Sequence, residues 1–266
     1  MPVIRDPAHS IVQPLTGNIS FEAVDFVYPN TGIHAIKNFN LTIRKGEKIA
    51  VIGKTGSGKT TLAQLLLRFY DPTHGVLRMD GKDLKTLNIH SLRSQIGYVP
   101  QDVFLFSDTV TGNILFGEEK KAEPQARRAA GYASVDQEIG QFSSGFDTLI
   151  GERGVNLSGG QKQRISIARA LSADHEIVIF DDCLSAVDAR TEKEIISHLY
   201  AYLQNKTALI ITHRIFTLFE FDRIIVMDQG KIVETGTHDG LLAMNGYYAR
   251  LYEQQQQTGE EVQSGD

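Results

Sequence analysis

The sequence predicts an α/β domain built on a mainly parallel sheet, and three observations predict it. Short apolar runs such as "EIVIFDD" (176–182) and "TALIITH" (207–213) end in polar residues, as buried parallel strands do. Stretches with helical spacing separate the strand signals, and strands joined by helices pair in parallel. A glycine-rich loop, "GKTGSGKT" (53–60), stands between an apolar strand and a helix.

Each element follows in chain order. Residues 1–17 carry Pro2, Pro7 and Pro14 without periodicity and read as a linker or extended arm. "ISFEAVDFVYP" (19–29) alternates up to a proline, which is a strand signal. "FNLTIRKGEKIAVIG" (39–53) reads as a strand, a Lys–Gly turn and a buried strand. In "TTLAQLLLRFY" (60–70), Leu62, Leu65, Leu66 and Phe69 share one helical face and are expected to pack in the core. The stretch from about 102 to 172 is richer in helical pattern. "RIIVMDQGKIVETG" (223–236) turns at Asp228–Gln229–Gly230 and reads as a hairpin. The polar, low-complexity end, residues 253–266, is expected to be a frayed, disordered tail.

Composition narrows the classes. The 266 residues, 41% of them hydrophobic and 22% charged, suffice for one large domain or a core with an inserted subdomain. A net charge of -5, with no basic run interleaved with aromatics, argues against nucleic-acid binding. The single cysteine, Cys183, rules out an internal disulfide, fits a reducing compartment and reads as a small buried residue at a strand end. The start lacks the pattern of a secretory signal. No apolar run approaches the roughly 18 residues needed to span a bilayer. The chain by itself is expected to be soluble, which is compatible with its being a piece of a membrane assembly.

The loop fits G-x-x-x-x-G-K-[ST] in the strand–loop–helix context that gives the pattern its meaning. Gly53, Gly56 and Gly58 permit tight curvature, so successive amides point at one anion, and the helix N-terminus adds positive potential. Lys59 is placed to reach the β- and γ-phosphates, and the Thr60 hydroxyl to join a magnesium shell. Thr55, Ser57 and Thr61 complete the candidate nucleotide contacts. Lys54, variable in the pattern, reads as solvated. Asp181 closes an apolar strand, where a carboxylate can hold magnesium. The two motifs define a nucleoside-triphosphatase core that takes magnesium, Mg2+.

"LSGGQKQRISIARAL" (157–171), set between that loop and "VIFDD", resembles the signature of an ATP-binding cassette (ABC) nucleotide-binding domain. The resemblance runs from about residue 18 to 252. It implies a P-loop, RecA-like core, an antiparallel β subdomain and an inserted helical subdomain at about 102–172. It also implies a head-to-tail pair of domains enclosing two ATP molecules, to which Ser158, Gly159, Gly160, Gln161 and Asp188 contribute in trans. Physically, Ser158 and the two glycines precede a helix and offer a hydroxyl and amides to a second anion. By the same resemblance Tyr28 stacks on adenine, Gln101 joins magnesium and contacts the membrane partner, and His213 stands near the γ-phosphate.

"GERGVNLSGGQ" (151–161) resembles the exporter subclass, in which Glu152 lies near the transmembrane helices. "DTVTGNILFG" (108–117) resembles it too, with Gly112 where glutamate is common. The arm resembles the linker that follows a membrane domain, which implies an excised C-terminal domain of a half-transporter at the cytoplasmic face of the cell membrane. The direction of transport rests on that resemblance alone, and the cargo site belongs to the membrane part it implies.

One position departs from the family. Hydrolytic sites place glutamate directly after the magnesium aspartate, and here Asp182 stands there. Its oxygens fall short by about 1.5 Å, one carbon–carbon bond, and a misplacement of about 1 Å is worth on the order of 100-fold in rate. ATP binding is expected to survive and hydrolysis in cis to be slow. The intact "LSGGQ" then fits the ATP-binding half of an unlike pair, completing the partner's site. The alternatives are a fully active homodimeric exporter ATPase and an ABC ATPase outside transport.

Overall fold

The computed structural model describes residues 4–118, 122–151, 154, 156–184, 187–215 and 219–263. Strand β1 (Ile19–Val27) lies antiparallel between β2 (His34–Ile43) and β4 (His74–Met79), and the short β5 (Lys82–Asp83) pairs with β4. A second sheet is built from β3 (Lys48–Gly53), β6 (Ile96–Val99), β7 (Ile177–Asp181), β8 (Thr207–Thr212), β9 (Arg223–Asp228) and β10 (Lys231–Gly236). Its order is β10-β9-β3-β8-β7-β6, parallel throughout except for the β9–β10 hairpin at one edge. That hairpin turns through Gln229 (φ 46) and Gly230 (φ 80), the two positive-φ positions that match strand twist.

The period of two decides which layer each residue joins. On β7, Val178 and Phe180 face one core cluster while Ile177 and Ile179 face another. On β8, Ala208 and Ile210 divide from Leu209 and Ile211 in the same way. The first cluster lies under α3 (Val110–Ile114), α4 (Glu123–Tyr132), α6 (Gly159–Leu171) and α7 (Ala189–Tyr202). The second joins the parallel sheet to α1 (Lys59–Leu66) and to the antiparallel sheet. Each fully buried Leu, Ile or Phe contributes about 1.5–3 kcal/mol. Between β6 and β7 the described residues contain no strand; α5 (Asp136–Gly140) completes the helical stretch, while α2 (Ile89–Arg93) precedes β6 and α8 (His238–Ala243) follows β10.

Two expectations, for Phe69 and for the polar end, meet a different outcome. Helix α1 stops at Leu66, and Phe69, expected on its buried face, is 44% exposed. Arg68 takes a left-handed φ of 51, so its amide bonds back to Leu65 O (3.0 Å) and that of Phe69 to Gln64 O (2.8 Å). This double closure ends the helix and turns Phe69 outward. The described part of the arm packs on the domain. Ile11 pairs with Leu87, Leu15 is buried, and Gly17 O accepts from Thr207 Oγ1 at 2.9 Å. The polar end from 253 continues helix α9 (Tyr247–Gln263), because Glu and Gln are good helix formers when a packed first turn supplies the nucleus. Cys183 is buried at the end of β7, as expected. Among the described residues no helix is long and apolar enough to cross a membrane.

Candidate nucleotide site

Strand β3 delivers the chain at Gly53, where a Cβ would sit 2.3 Å from Met227 O. Gly58, at φ 101, begins α1, and a Cβ there would meet Ala35 O at 2.5 Å. Close approach at one glycine and a left-handed backbone at the other fix the loop's curvature. Ser57 is buried beneath it. Lys59 folds over the loop, its Nζ donating to Gly53 O (2.8 Å) and Lys54 O (3.0 Å). Burial lowers its pKa, against the opposing pull of Asp182 and Asp181. The Thr60 hydroxyl donates to Asp181 Oδ1 at 3.0 Å. Tyr28 donates to Gln64 Oε1 at 2.8 Å, and the Thr61 hydroxyl, 2.9 Å away, is left to donate to the phenol. The Tyr28 ring packs edge-on against Phe26 and Tyr70.

Strand β7 places Asp181 at the floor, 1% exposed, where burial pushes its carboxyl up to about 6. Oδ2 is buried and makes no hydrogen bond of normal geometry, although Tyr98 stands beside it, its phenol driven up by burial and by Asp181. A buried carboxylate oxygen without a partner, next to a hydroxyl, is a donor set that suits a hard cation. Among the described residues no three acidic, His or Cys side chains converge, so a cation here would lean on a ligand's phosphates and on water. Asp182 sits at φ 49, a left-handed conformation that aspartate tolerates, and its amide donates to Ile211 O. Its two carboxylate oxygens lie 2.9 and 3.0 Å from His213 Nδ1. The pair spans the ends of adjacent strands β7 and β8.

Tyr28, Thr55, Gly56, Gly58, Lys59, Thr60, Thr61, Gln101, Asp181, Asp182 and His213 line one cleft of about 360 Å³. That volume lies within the usual range for small-molecule sites, about 300–1,000 Å³. Gly53 and Ser57 shape the loop without lining the cleft. Ile33, which sequence reasoning passed over, lines the same cleft and is 59% exposed. An apolar residue in the turn after Tyr28 was the only signal that could have found it.

The second group stands apart: Ser158, Gly159, Gly160, Gln161 and Asp188 line none of that cleft. Ser158 caps α6 in a capping box. Its Oγ accepts from Gln161 N (3.2 Å) while its own amide donates to Gln161 Oε1 (3.0 Å). The hydroxyl hydrogen of Ser158 and the amides of Gly159 and Gly160 are not consumed by the box. Behind this turn, Glu138 on α5 takes both arms of Arg164 (2.6 and 2.9 Å) and the Nε2 of Gln161 (3.1 Å). Glu138 and Arg164 were not legible as site residues, because their partnership spans 26 positions. Gln161, expected to touch ligand, has its side chain committed to this brace. Asp188 caps α7 through Oδ1, accepting from the amides of Arg190 and Thr191.

Two further positions bear on the expectations. Lys54 is exposed, as expected, and its Nζ stands 5.7 Å from the ring centroid of Tyr247. At Gly112 a Cβ would meet the Asp108 carboxylate at 2.2 Å, so that carboxylate occupies the space a side chain would need. Glu152 lies outside the described residues.

Residues 36–185 match the family model described as ABC transporter. A probable multidrug resistance ABC transporter ATP-binding/permease protein, YheI of Bacillus subtilis (strain 168), is 45% identical over 95% of this chain and 43% of its own length. An ATP-dependent lipid A-core flippase of Alkalilimnicola ehrlichii is 47% identical over 89% of this chain and 40% of its own. A solved bacterial Atm1-family ABC exporter with ATP bound superposes with a TM-score of 0.89 at 37% identity, covering 95% of this chain and 44% of that one. The chain thus spans less than half the length of the relatives it matches.

Proposed function

Because this chain belongs to the ABC transporter family, we propose that it is the ATP-binding and ATP-hydrolysing domain of an exporter. Its own site is weakly hydrolytic, and its signature helix completes a partner's site. Relatives named as an ATP-binding/permease protein and an ATP-dependent flippase support the exporter reading. Their names differ in cargo, so the shared element is the ATP-driven step.

In this reading Tyr28 and Ile33 meet the adenine, and the loop amides from Thr55 to Thr61 with Lys59 hold the phosphates. Thr60, Asp181 and Gln101 would hold magnesium, which when bound would neutralise charge on the phosphates. Asp182 and His213 orient the attacking water and the γ-phosphate. A second nucleotide-binding domain, like or unlike, presents its own counterparts of Ser158, Gly159, Gly160 and Asp188 across the interface. The transmembrane partner meets the regions of Gln101 and Glu152 at the cytoplasmic face of the membrane, and residues 1–17 link to it.

The observation that carries weak hydrolysis is the Asp182–His213 pair. A base must sit about 2.6–3.2 Å from the proton it takes. Both oxygens of the short Asp182 side chain lie within 3.0 Å of His213 Nδ1, so the carboxylate is paired with the imidazole. Steady-state ATPase measurement of the Asp182→Glu variant tests this. We expect a gain of at least about tenfold, since about 1 Å of misplacement is worth on the order of 100-fold. An unchanged rate would favour a fully active like-paired ATPase in which aspartate serves as it stands.

A further inference from the structure

Helix α9 closes the gap between the two loops that meet the phosphates. Its stripe Tyr248, Leu251, Gln255 follows helical spacing onto one face. Tyr248 is 1% exposed, and Leu251 packs on the cluster of Ala50, Ile52, Ile224 and Val226. Gln255 continues this apolar stripe, and of the four glutamines 254–257 it is half-buried while the other three are exposed. A polar side chain on a buried stripe calls for a partner. Its Oε1 accepts the Ile215 amide at 2.8 Å, and the Ile215 side chain packs on the same cluster. Ile215 is two residues beyond His213.

The start of α9 is fixed as firmly. Glu234 on β10 accepts the amides of Tyr247 and Tyr248, capping the first turn with a carboxylate. The Tyr247 ring lies under Lys54 of the phosphate loop. From Tyr247 to Gln255 is eight residues, about 12 Å of helix, so one rigid element touches the phosphate loop at one end and the histidine loop at the other. Arg214 adds two tethers between His213 and Ile215, its amide on Thr212 Oγ1 and its guanidinium on Glu192 of α7.

We propose that Gln255 is a positioning residue for His213: it holds the backbone that sets where the imidazole stands. The inference rests on the proposed part of His213 in hydrolysis. Removing one acceptor loosens the loop without touching nucleotide contacts, so turnover is expected to fall while ATP binding holds.

The test uses the whole chain. In Gln255→Leu, kcat for ATP falls about three- to tenfold, the worth of one neutral hydrogen bond, and KM changes less than about twofold because uniform binding is untouched. Gln255→Glu, which keeps an acceptor oxygen, restores kcat. Histidine-ring NMR gives a readout independent of turnover: the His213 signal moves in Gln255→Leu and returns in Gln255→Glu. An unmoved His213 signal with unchanged kcat overturns the proposal, as does a loss of kcat that Gln255→Glu fails to rescue. His213→Ala run in parallel separates the two readings. If it leaves kcat intact, the catalytic part of His213 fails, and the His213 signal alone decides the role of Gln255.

Discussion

Two helix N-termini in this chain offer backbone donors to an anion, and they are finished differently. At α1 the glycines are demanded by the chain's own packing, and the polar side chains are already engaged, Lys59 on the loop carbonyls and Thr60 on Asp181. At α6 the bracing comes from behind, through Gln161, Glu138 and Arg164. A Cβ on Gly159 would meet nothing within 4 Å, and its φ is not in the left-handed range. Neither conformation nor intrachain packing explains that glycine. The first cradle is therefore shaped and braced within one chain, whereas the second keeps space and donors that the chain does not itself use. That is the expected signature of a surface finished by a ligand from another copy or partner.

Matched alanine substitutions break the comparison if it is wrong. Gly58→Ala carries the largest effect. The left-handed backbone costs about 1–2 kcal/mol for a residue with a Cβ, and the contact with Ala35 O adds to it. We expect a lower urea midpoint and loss of ATP binding by equilibrium dialysis. Gly159→Ala is expected to leave the midpoint unchanged or raise it, since alanine is the better helix former by up to about 1 kcal/mol. ATP affinity at the first cradle is expected to hold, while ATP-dependent pairing, measured by sedimentation, is lost. Pairing that survives in Gly159→Ala would remove the argument that this space belongs to a ligand.

The same contrast explains what the sequence made legible. The first cradle is local: eight consecutive residues between a strand and a helix, with Asp181 and Asp182 marked by the end of an apolar run. The parallel sheet was legible for the same reason, because apolar runs with polar ends report burial directly. The brace at the second cradle was not, since Glu138 meets Arg164 through a fold that only the tertiary structure sets. Gln255 was lost to composition. A glutamine run reads as solvated tail, and only the stripe from Tyr248 and Leu251 shows that one of the four turns inward. Phe69 failed in the opposite sense, because apolar spacing continued past the point where Arg68 closes the helix.

The smallest expected effect sharpens the comparison most. Glu138 is held below the usual carboxylate range, chiefly by its hydrogen bonds from Arg164, with burial opposing. A depressed carboxyl stabilises the fold above its unfolded pKa, about 4.5, and that contribution is lost as pH falls through the folded value. Because Glu138 is 40% exposed, solvent screening keeps the pair to about 1 kcal/mol or less. Glu138→Gln is therefore expected to lower unfolding stability modestly at pH 7, with the difference from the parent shrinking once the pH drops below about 4.5. A difference that stays constant with pH would mean that the carboxylate charge does not hold the brace. ATP binding at the first cradle is expected to be untouched at pH 7, because α5 and α6 share no lining with that cleft. A drop in affinity there would show that the two helix ends are coupled within one chain, and the division drawn between them would fall.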